Sequence, residues 1–478
     1  MHPFEYLRQV TIESPAAIAL SSSQTELTFA ELFDSAIRFA QVFRARGVRP
    51  GHVVVVRAPT ELDLVISQAL LHEATVGGHV PAGLEKLIGS RIDWIVTDAP
   101  VPGVPTERQI VLDGQFFMAV AAVPEIAPAD ASPLPYANDD ALCRISFSSG
   151  TTGEPKAIGW SVDCLMDRAL DRRTQWMPVE PYLCLLGQAT GLAFMTYFAN
   201  IARGVSFLLP ESGAELARQV AKHGVACIMA SPHQLGNLLT VAIENPDAFE
   251  SVTTIMSAGS VLPDFIAGQL ERVCGAQIIS TYASSEAGSV AIRPGLGSTE
   301  GYAGHLFDEV EVLILDESGT PLADGQIGEI GVRRARQPHS YLFGDDPTGS
   351  FRDGYFFSGD LGYLRGRDLY LAGRSTEIIN AGGVKIDPAK VESYLRGLDG
   401  VRDAAVFSLF DKRGLEKLAV VFVSDAPLGL ERIQAWLRPQ FGEAVPQSFA
   451  RVSEIPRSPM GKVNRSELRE RFGAILQT

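Results

Sequence analysis

Cysteine is scarce in this chain, with five residues among 478, at positions 143, 164, 184, 227 and 274. None belongs to a C-x-x-C pair and none has histidines at ligand spacing, which argues against a zinc site and against a disulfide framework. A chain of this length stabilises a large core by apolar burial alone. We therefore expect buried free thiols and a reducing, cytoplasmic location.

Positive charge is also in short supply, because 41 Lys and Arg face 56 Asp and Glu, for a formal net charge of −15. Nucleic acids and anionic membranes are bound by concentrated positive charge. The composition therefore excludes both as general partners. The first residues lack a basic stretch followed by an apolar one, so we expect no signal peptide.

One uncharged stretch, residues 181–202, has about the length of a bilayer span. Pro181, Gly187 and Asn200 interrupt its apolar character. We predict a buried strand, a turn that lines a pocket and a helix, and no membrane span.

Strand-like runs alternate with helical periodicity along the first part of the chain. Apolar residues recur at steps of three and four between Phe33 and Phe43, Gly47 ends that helix, and residues 52–56 form a buried strand. Such alternation predicts an α/β fold with a largely parallel, helix-covered sheet.

The charge is divided unevenly along the chain. The last 104 residues hold 15 basic and 13 acidic side chains, whereas the preceding 374 hold 26 and 43. We place a domain boundary at this shift. The body then covers residues 1–374, in two subdomains, and a smaller domain covers residues 375–478.

The most informative segment reads S-S-G-T-T-G-E-P-K and lies between two apolar runs. Glycines allow backbone N–H groups to point inward as an anion nest, and hydroxyls add further donors. The lysine supplies a point charge for a polyphosphate, although the spacing is not that of a Walker loop. The candidate phosphate-binding residues are Ser148, Ser149, Gly150, Thr151, Thr152, Gly153 and Lys156.

This segment resembles the phosphate-binding loop of the adenylate-forming enzymes, the acyl- and aryl-CoA synthetases and their relatives. The resemblance extends in order over roughly residues 25–470. It implies a large body of helix-covered sheets and a small, mobile α+β C-terminal lid.

Two segments near the middle of the chain resemble the family's adenine-binding parts. Residues 280–286, S-T-Y-A-S-S-E, are similar to its Y-G-x-T-E motif, and residues 257–260 to its glycine-rich turn. The resemblance implies that Tyr282 flanks the adenine, with Thr281 and Gly259 nearby. Ser285 would contact the α-phosphate and Glu286 would hold Mg²⁺, a cation that prefers oxygen ligands.

Three later segments complete the resemblance. Residues 351–362 are similar to the D-G-W-x-x-T-G-D-L-G motif, which implies that Asp360 binds the ribose hydroxyls. Arg374 would contact ribose or phosphate, and Gly382 and Gly383 would border a thiol tunnel. The hinge falls at Thr376, where relatives have Asp or Lys.

The last of these segments, residues 456–465, is similar to the P-x-x-x-x-G-K-[IV]-x-R signature, which implies that Lys462 is the catalytic lysine. A cation at the α-phosphate neutralises the charge that grows in the transition state.

The implied reaction is ATP-dependent activation of a carboxylic acid as an acyl-adenylate, followed by transfer to a thiol. In amino-acid-activating members an Asp pairs with the substrate ammonium. Gly191 occupies that position, which disfavours an α-amino acid. Small residues suggest room for an aryl or medium acyl group. The candidate pocket residues are Gln188, Ala189, Gly191, Ala283 and Gly288.

Several acceptors stay open at this point. Coenzyme A is the leading thiol, the phosphopantetheine of an acyl carrier protein is the alternative, and amide formation from the same adenylate is a third outcome. A non-catalytic nucleotide-binding homologue is the contrasting class. The presence of Lys156, Glu286, Asp360 and Lys462 argues against it.

Overall fold

The fold was analysed in a computed structural model of the full chain. The structure describes residues 1–79, 91–148, 156–170, 181–187, 190–259, 262, 264–295, 301–343, 346, 349–374, 379–381, 384–410, 416–442, 445–457 and 462–476.

Twelve α-helices lie within these residues. In chain order they are α1 (Pro3–Glu13), α2 (Phe29–Arg46), α3 (Thr60–His72), α4 (Gly114–Ala122), α5 (Val162–Leu170), α6 (Gly191–Arg203), α7 (Gly213–His223), α8 (Pro232–Glu244), α9 (Asp264–Cys274), α10 (Pro388–Leu395), α11 (Leu430–Phe441) and α12 (Arg465–Leu476).

The strands of the first half of the chain are β1 (Ile18–Ser21), β2 (Glu26–Thr28), β3 (Val53–Arg57), β4 (Val76–His79), β5 (Trp94–Thr97), β6 (Gln109–Val111), β7 (Leu142–Ser148), β8 (Lys156–Ser161), β9 (Tyr182–Cys184), β10 (Phe207–Leu208), β11 (Cys227–Ala230) and β12 (Thr254–Ala258). Those of the second half are β13 (Gln277–Ser284), β14 (Gly288–Pro294), β15 (Tyr302–Leu306), β16 (Glu311–Leu315), β17 (Gly328–Arg333), β18 (Tyr341–Phe343), β19 (Phe351–Arg352), β20 (Tyr355–Arg365), β21 (Asp368–Arg374), β22 (Ile379–Ala381), β23 (Val384–Ile386), β24 (Val401–Phe410), β25 (Glu416–Ser424) and β26 (Ser448–Arg451).

The local predictions are confirmed where the structure describes them. Helix α2 begins with a capping box between Thr28 and Glu31 and ends at Gly47, whose φ of 104° favours glycine. The uncharged stretch 181–202 contains strand β9 and helix α6, and residues 188–189 of the predicted turn lie outside the described residues. Among the described helices none is long and apolar enough to cross a bilayer.

Two large sheets build the body. One runs in the order β16-β17-β20-β21-β15-β14-β13-β12-β11-β9-β10-β1-β2, and β19 pairs with β20. Strands β1, β10, β9, β11, β12 and β13 are mutually parallel, whereas β2 pairs antiparallel with β1 at one edge and antiparallel pairing resumes at β14. The other sheet runs β18-β8-β7-β4-β3-β5-β6. Ligands of such sheets bind beyond the carboxyl ends of the parallel strands, and β13 places the Glu286 segment at such an end.

The C-terminal residues form a small α+β unit with its own cores. The hairpin β22–β23 and the three-stranded sheet β24-β25-β26 pack with α10, α11 and α12. Two clusters of buried apolar side chains contain only residues from Ile379 onward. The architecture predicted from sequence is therefore confirmed. The boundary at 374/375 stays a prediction, and Thr376 lies outside the described residues.

Candidate active site

Glu286 lies at the tip of the hairpin formed by β13 and β14. Ser284 pairs with Gly288 across a three-residue turn, and the Ser284 hydroxyl accepts a 2.9 Å hydrogen bond from the N–H of Ala287. Gly288 has a φ of 74°, the left-handed conformation that such turns require. Although it lies at a turn, Glu286 is only 6% exposed. Burial raises the pKa of its carboxyl, whereas the Tyr341 hydroxyl, the charge of Lys462 and that of Arg168 lower it.

Arg168 of α5 stabilises this turn by hydrogen bonds to its backbone. Its guanidinium donates to the carbonyl oxygens of Ser285 and Glu286, at 2.8 Å and 2.5 Å. The side chain is buried and lies over the Trp160 ring, 4.9 Å from the centroid. The flat fork of arginine suits two neighbouring acceptors, so Arg168 fixes the backbone from which Glu286 projects.

Tyr341 joins Glu286 to Lys156. Its hydroxyl donates a 3.1 Å hydrogen bond to Oε1 of Glu286, and Nζ of Lys156 lies 4.5 Å from the centroid of its ring. Nζ of Lys156 also lies 3.4 Å from Oδ1 of Asp346, whose Oδ2 accepts from the N–H of Ser350. The carboxylate of Asp346 therefore forms an ion pair with the lysine ammonium that would otherwise contact a polyphosphate.

The predicted nucleoside residues are joined in the same way. The Tyr282 hydroxyl donates a 2.6 Å hydrogen bond to Oδ2 of Asp360, which also accepts from the Ser358 hydroxyl at 2.7 Å. Asp360 of β20 lies directly opposite Arg374 of β21. Thr281 pairs with Ala258, the last residue of β12, and Gly259 follows with a φ of 100°. The structure thus brings the predicted adenine and ribose residues to one edge of the sheet.

Lys462 lies between two arginines that form ion pairs within the C-terminal unit. Arg457 contacts both carboxylate oxygens of Asp403, at 2.8 Å and 2.7 Å, and Arg465 contacts Oε1 of the buried Glu392 at 2.6 Å. An isolated β-bridge pairs Arg457 with Val463. Since the charge of Lys462 acts on the carboxyl of Glu286, the C-terminal unit presents this lysine to the body.

The glycines of the predicted acid pocket do not leave empty space. A Cβ on Gly191 would lie 2.5 Å from Cη2 of Trp160, and one on Gly288 would lie 3.2 Å from Nη1 of Arg334. Gly191 therefore makes room for the Trp160 ring, and an aspartate at this position would collide with it. Ala283 pairs with Ser289 across the hairpin.

The remaining predicted residues lie outside the described residues: Ser149, Gly150, Thr151, Thr152, Gly153, Gln188, Ala189, Gly382 and Gly383, together with the side chains of Ser148 and Arg374.

Sequence reasoning missed Tyr341, Arg168 and Trp160. The available signal for Arg168 was a charged residue on the apolar stripe of α5, where it lies among Cys164, Leu165 and Ala169. Tyr341 gave no signal of its own, because it reaches Glu286 only through the pairing of β18 with β8.

The comparisons with known proteins agree with this geometry. A family model described as AMP-binding enzyme matches residues 92–342, more than half of the chain. This chain belongs to the AMP-binding enzyme family. The resemblance to adenylate-forming enzymes inferred from the motifs is thereby confirmed.

This AMP-binding enzyme has full-length relatives. It is 27% identical to a feruloyl-CoA synthase from an Amycolatopsis species, with 96% of this chain and 97% of that protein covered. It is 26% identical to the 2-succinylbenzoate–CoA ligase of Geobacillus kaustophilus, over 99% of both chains.

Solved structures share its fold. The O-succinylbenzoate coenzyme A synthetase of Bacillus subtilis in complex with AMP superposes with a TM-score of 0.83 at 23% identity, over 97% of this chain and 98% of that one. ATP-bound MatB from Rhodopseudomonas palustris gives 0.84 at 22% identity, over 99% and 100%.

Proposed function

We propose that this AMP-binding enzyme is an AMP-forming acid–thiol ligase that activates a non-amino carboxylic acid with ATP and transfers the acyl group to coenzyme A. The observation that carries the proposal is the arrangement around Glu286: Tyr341 donates to its carboxylate and lies against Lys156, and the charge of Lys462 lowers the pKa of the same carboxyl. The named relatives at full length, a feruloyl-CoA synthase and 2-succinylbenzoate–CoA ligases, support this reaction class.

The first half-reaction needs positioning and charge neutralisation but no covalent intermediate on the protein. A carboxylate oxygen of the acid attacks the α-phosphorus of ATP, and the bond to the β-phosphate oxygen breaks, which releases pyrophosphate. Lys156 and the S-S-G-T-T-G segment would bind the departing phosphates, and Lys462 would neutralise charge on the α-phosphate. In the second half-reaction the thiol sulfur attacks the acyl carbon, and AMP leaves.

The chemistry of Glu286 fits a magnesium ion shared with ATP. Among the described residues there is no group of three His, Cys, Asp or Glu side chains that could hold a metal. Magnesium is commonly held by one or two carboxylates together with phosphate oxygens and water, so a single glutamate suffices beside a polyphosphate. Bound there, the ion would withdraw charge from the phosphates; Tyr341 and Arg168 orient the carboxylate that holds it.

The acid is an aryl or medium acyl acid without an α-ammonium group. Gly191 carries no charge for an ammonium, and Trp160 fills the space in which a side chain at position 191 would lie. An apolar ring at this point favours a substrate with apolar character.

Coenzyme A is the favoured acceptor, because the relatives are a feruloyl-CoA synthase and a 2-succinylbenzoate–CoA ligase. Loading of a carrier-protein phosphopantetheine and amide formation consume the same adenylate and are therefore separated by the acceptor alone. A cytoplasmic location is part of the proposal, since ATP and reduced thiols are found there and all five cysteines are free and buried.

The experiment is a panel of aryl and medium-chain acids scored by pyrophosphate release from ATP, with and without coenzyme A. We expect release with at least one acid, and formation of the matching thioester and AMP when coenzyme A is added. Adenylate formation without thioester, followed by loading of a phosphopantetheinylated carrier protein, would select the carrier alternative. Absence of release with every acid, with ATP still bound, would favour a non-catalytic nucleotide-binding protein.

A further inference from the structure

Three buried polar side chains share one face of the β7–β8 ladder. Arg144 lies directly opposite Trp160, and Ser146 follows two residues later on the same strand, so that its side chain leaves the sheet on the same side. Their exposed fractions are 4% for Arg144, 3% for Ser146 and 1% for Trp160. Trp160 packs under Arg168 of the site described above, whereas Arg144 and Ser146 have no role assigned there.

Two of these side chains carry hydrogen-bond donors that no group among the described residues satisfies. Within the described part of the chain, neither Oγ of Ser146 nor Nε1 of Trp160 has a partner. The guanidinium of Arg144 lies on the ring of Phe194, with its central carbon 3.7 Å from the centroid. Buried polar groups are nearly always hydrogen-bonded, because a buried donor without a partner is costly. Two such donors on one face of the ladder therefore point to a ligand.

The Ser146 hydroxyl and the Trp160 ring lie next to Gly191, the first residue of α6, where the acid pocket is predicted. A Cβ on Gly191 would lie 2.5 Å from Cη2 of Trp160 and 3.1 Å from Oγ of Ser146. Arg168 lies over the Trp160 ring, and its guanidinium donates to the backbone carbonyl of Glu286. Trp160 thus lies between Gly191 of the predicted acid pocket and Arg168, which contacts the Glu286 turn.

Charge decides which polar group fits. Asp63 of α3 is 2% exposed, its Oδ1 has no partner among the described residues, and it acts electrostatically on Arg144. Burial raises the pKa of Asp63 to about 6 and lowers that of Arg144 to about 10, so both are mainly ionised at neutral pH and offset one another. A second carboxylate would add an uncompensated buried charge, which is strongly unfavourable, whereas a neutral oxygen would not.

We propose that the distal end of the acid carries an uncharged oxygen (a hydroxyl, alkoxyl or carbonyl group) that accepts hydrogen bonds from Ser146 Oγ and Trp160 Nε1. The inference rests on the proposed acid-activating function and narrows its substrate class to oxygen-substituted acids. A site with buried donors rejects the analogue that lacks the acceptor, because the donors then stay unsatisfied.

The test compares matched acids: benzoate with 4-hydroxybenzoate, cinnamate with 4-hydroxycinnamate, and hexanoate with 6-hydroxyhexanoate, with terephthalate as the dianionic probe. The measured quantity is kcat/KM for pyrophosphate release. In the wild-type enzyme we expect one oxygen-substituted acid to exceed its parent by about tenfold or more, as expected for two hydrogen bonds between uncharged groups. Terephthalate should be the poorer substrate of the aryl series.

Two variants remove single donors and little else. In Trp160→Phe and in Ser146→Ala, the ratio of substituted to unsubstituted acid should fall toward one. Trp94→Phe is the matched control, because Trp94 lies on β5 and its indole N–H donates to His52, the residue before β3. It should leave the ratio at the wild-type value. Thermal unfolding of each variant checks that it is folded, and the second donor variant keeps the test valid if the first is unstable.

The outcomes separate the two proposals. Ratios within twofold of one for every wild-type pair, unchanged ratios in both variants, or a preference for terephthalate would overturn this inference while leaving acid activation intact. No pyrophosphate release with any acid would overturn both.

Discussion

The phenolic hydroxyl of Tyr341 donates a 3.1 Å hydrogen bond to Oε1 of Glu286. The two residues are 55 positions apart, and strand β18 brings them together by pairing with β8. Because burial and the neighbouring carboxylate raise the pKa of Tyr341, its hydroxyl remains a donor at any physiological pH.

Tyr341→Phe removes this hydrogen bond and keeps the aromatic ring under Lys156. A hydrogen bond to a charged group contributes roughly 1.5–3 kcal/mol, so we expect kcat for pyrophosphate release to fall about 10- to 100-fold. The Tyr341 hydroxyl lowers the pKa of Glu286, so the acid limb of the pH–rate profile should move to higher pH. Tyr302→Phe, which loses a hydroxyl bonded to Asp368, is the control. An unshifted profile at full activity would contradict the role.

Arg168→Lys keeps the charge and loses the fork that serves two carbonyl oxygens. One of the two acceptors stays unsatisfied, so the Glu286 turn shifts and we expect kcat to decrease by roughly tenfold or more. ATP-dependent pyrophosphate release at saturating magnesium measures the effect, and titration with magnesium should show weaker activation. The exposed pair Arg218–Glu215 supplies the control Arg218→Lys, which should behave as wild type. Equal activity of the two variants would refute the prediction.

Lys462→Ala should abolish adenylate formation, because the positive charge at the α-phosphate is lost. ATP affinity should change little, since the phosphate loop and Asp360 are unaltered. The measurements are pyrophosphate exchange and equilibrium binding of ATP. Lys222→Ala, on the exposed surface of α7, is the control. Undiminished adenylate formation by Lys462→Ala would sink the assignment of this lysine.

Gly191→Ala should destabilise the body, because the new Cβ would collide with Trp160. Overpacking of this kind costs typically about 1–3 kcal/mol. The second substitution Trp160→Leu vacates the space. Gly191→Ala should therefore cost less stability in the Trp160→Leu background than in the wild-type protein. Thermal unfolding of the four proteins gives the interaction energy. Additive effects would show that the two residues do not compete for one volume.

Asp63 predicts a pH dependence of stability. Burial raises its pKa from the ordinary 3.8 to about 6, so between these values the folded state binds more protons than the unfolded state. Stability should therefore fall as pH rises from about 4 to about 6, by at most roughly 3 kcal/mol, and then level off. Urea unfolding at a series of pH values measures the slope. In Asp63→Asn this component should vanish; parallel curves for the two proteins would contradict the shift.

Much of the fold was predictable because its signals are local. The period of apolar residues identified α2, and turn residues inside 181–202 correctly indicated a strand and a helix rather than a membrane span. The order of the strands was not predictable, since β18 joins β8 across more than 170 residues and no local pattern encodes that pairing.

In the candidate site, too, the residues in local motifs were predictable and their tertiary contacts were not. Glu286, Asp360 and Lys156 stand in motifs, so spacing and resemblance identified them. Arg168 and Tyr341 act through single hydrogen bonds to those residues, and such partners depend on tertiary packing alone. The small residue at 191 was misleading as a sign of open space, because the side chain that fills it lies on another strand.

The two arginines on either side of Lys462 have an entropic consequence. Arg457 and Arg465 attach the flanking backbone to Asp403 and Glu392, inside the C-terminal unit. Ordering a free backbone costs about 1–2 kcal/mol per residue, and here that cost is met during folding rather than in each catalytic cycle. Residues 462–465 are therefore already ordered when the lysine meets its substrates. The proposed catalytic cation thus reaches the body on backbone that folding has already fixed.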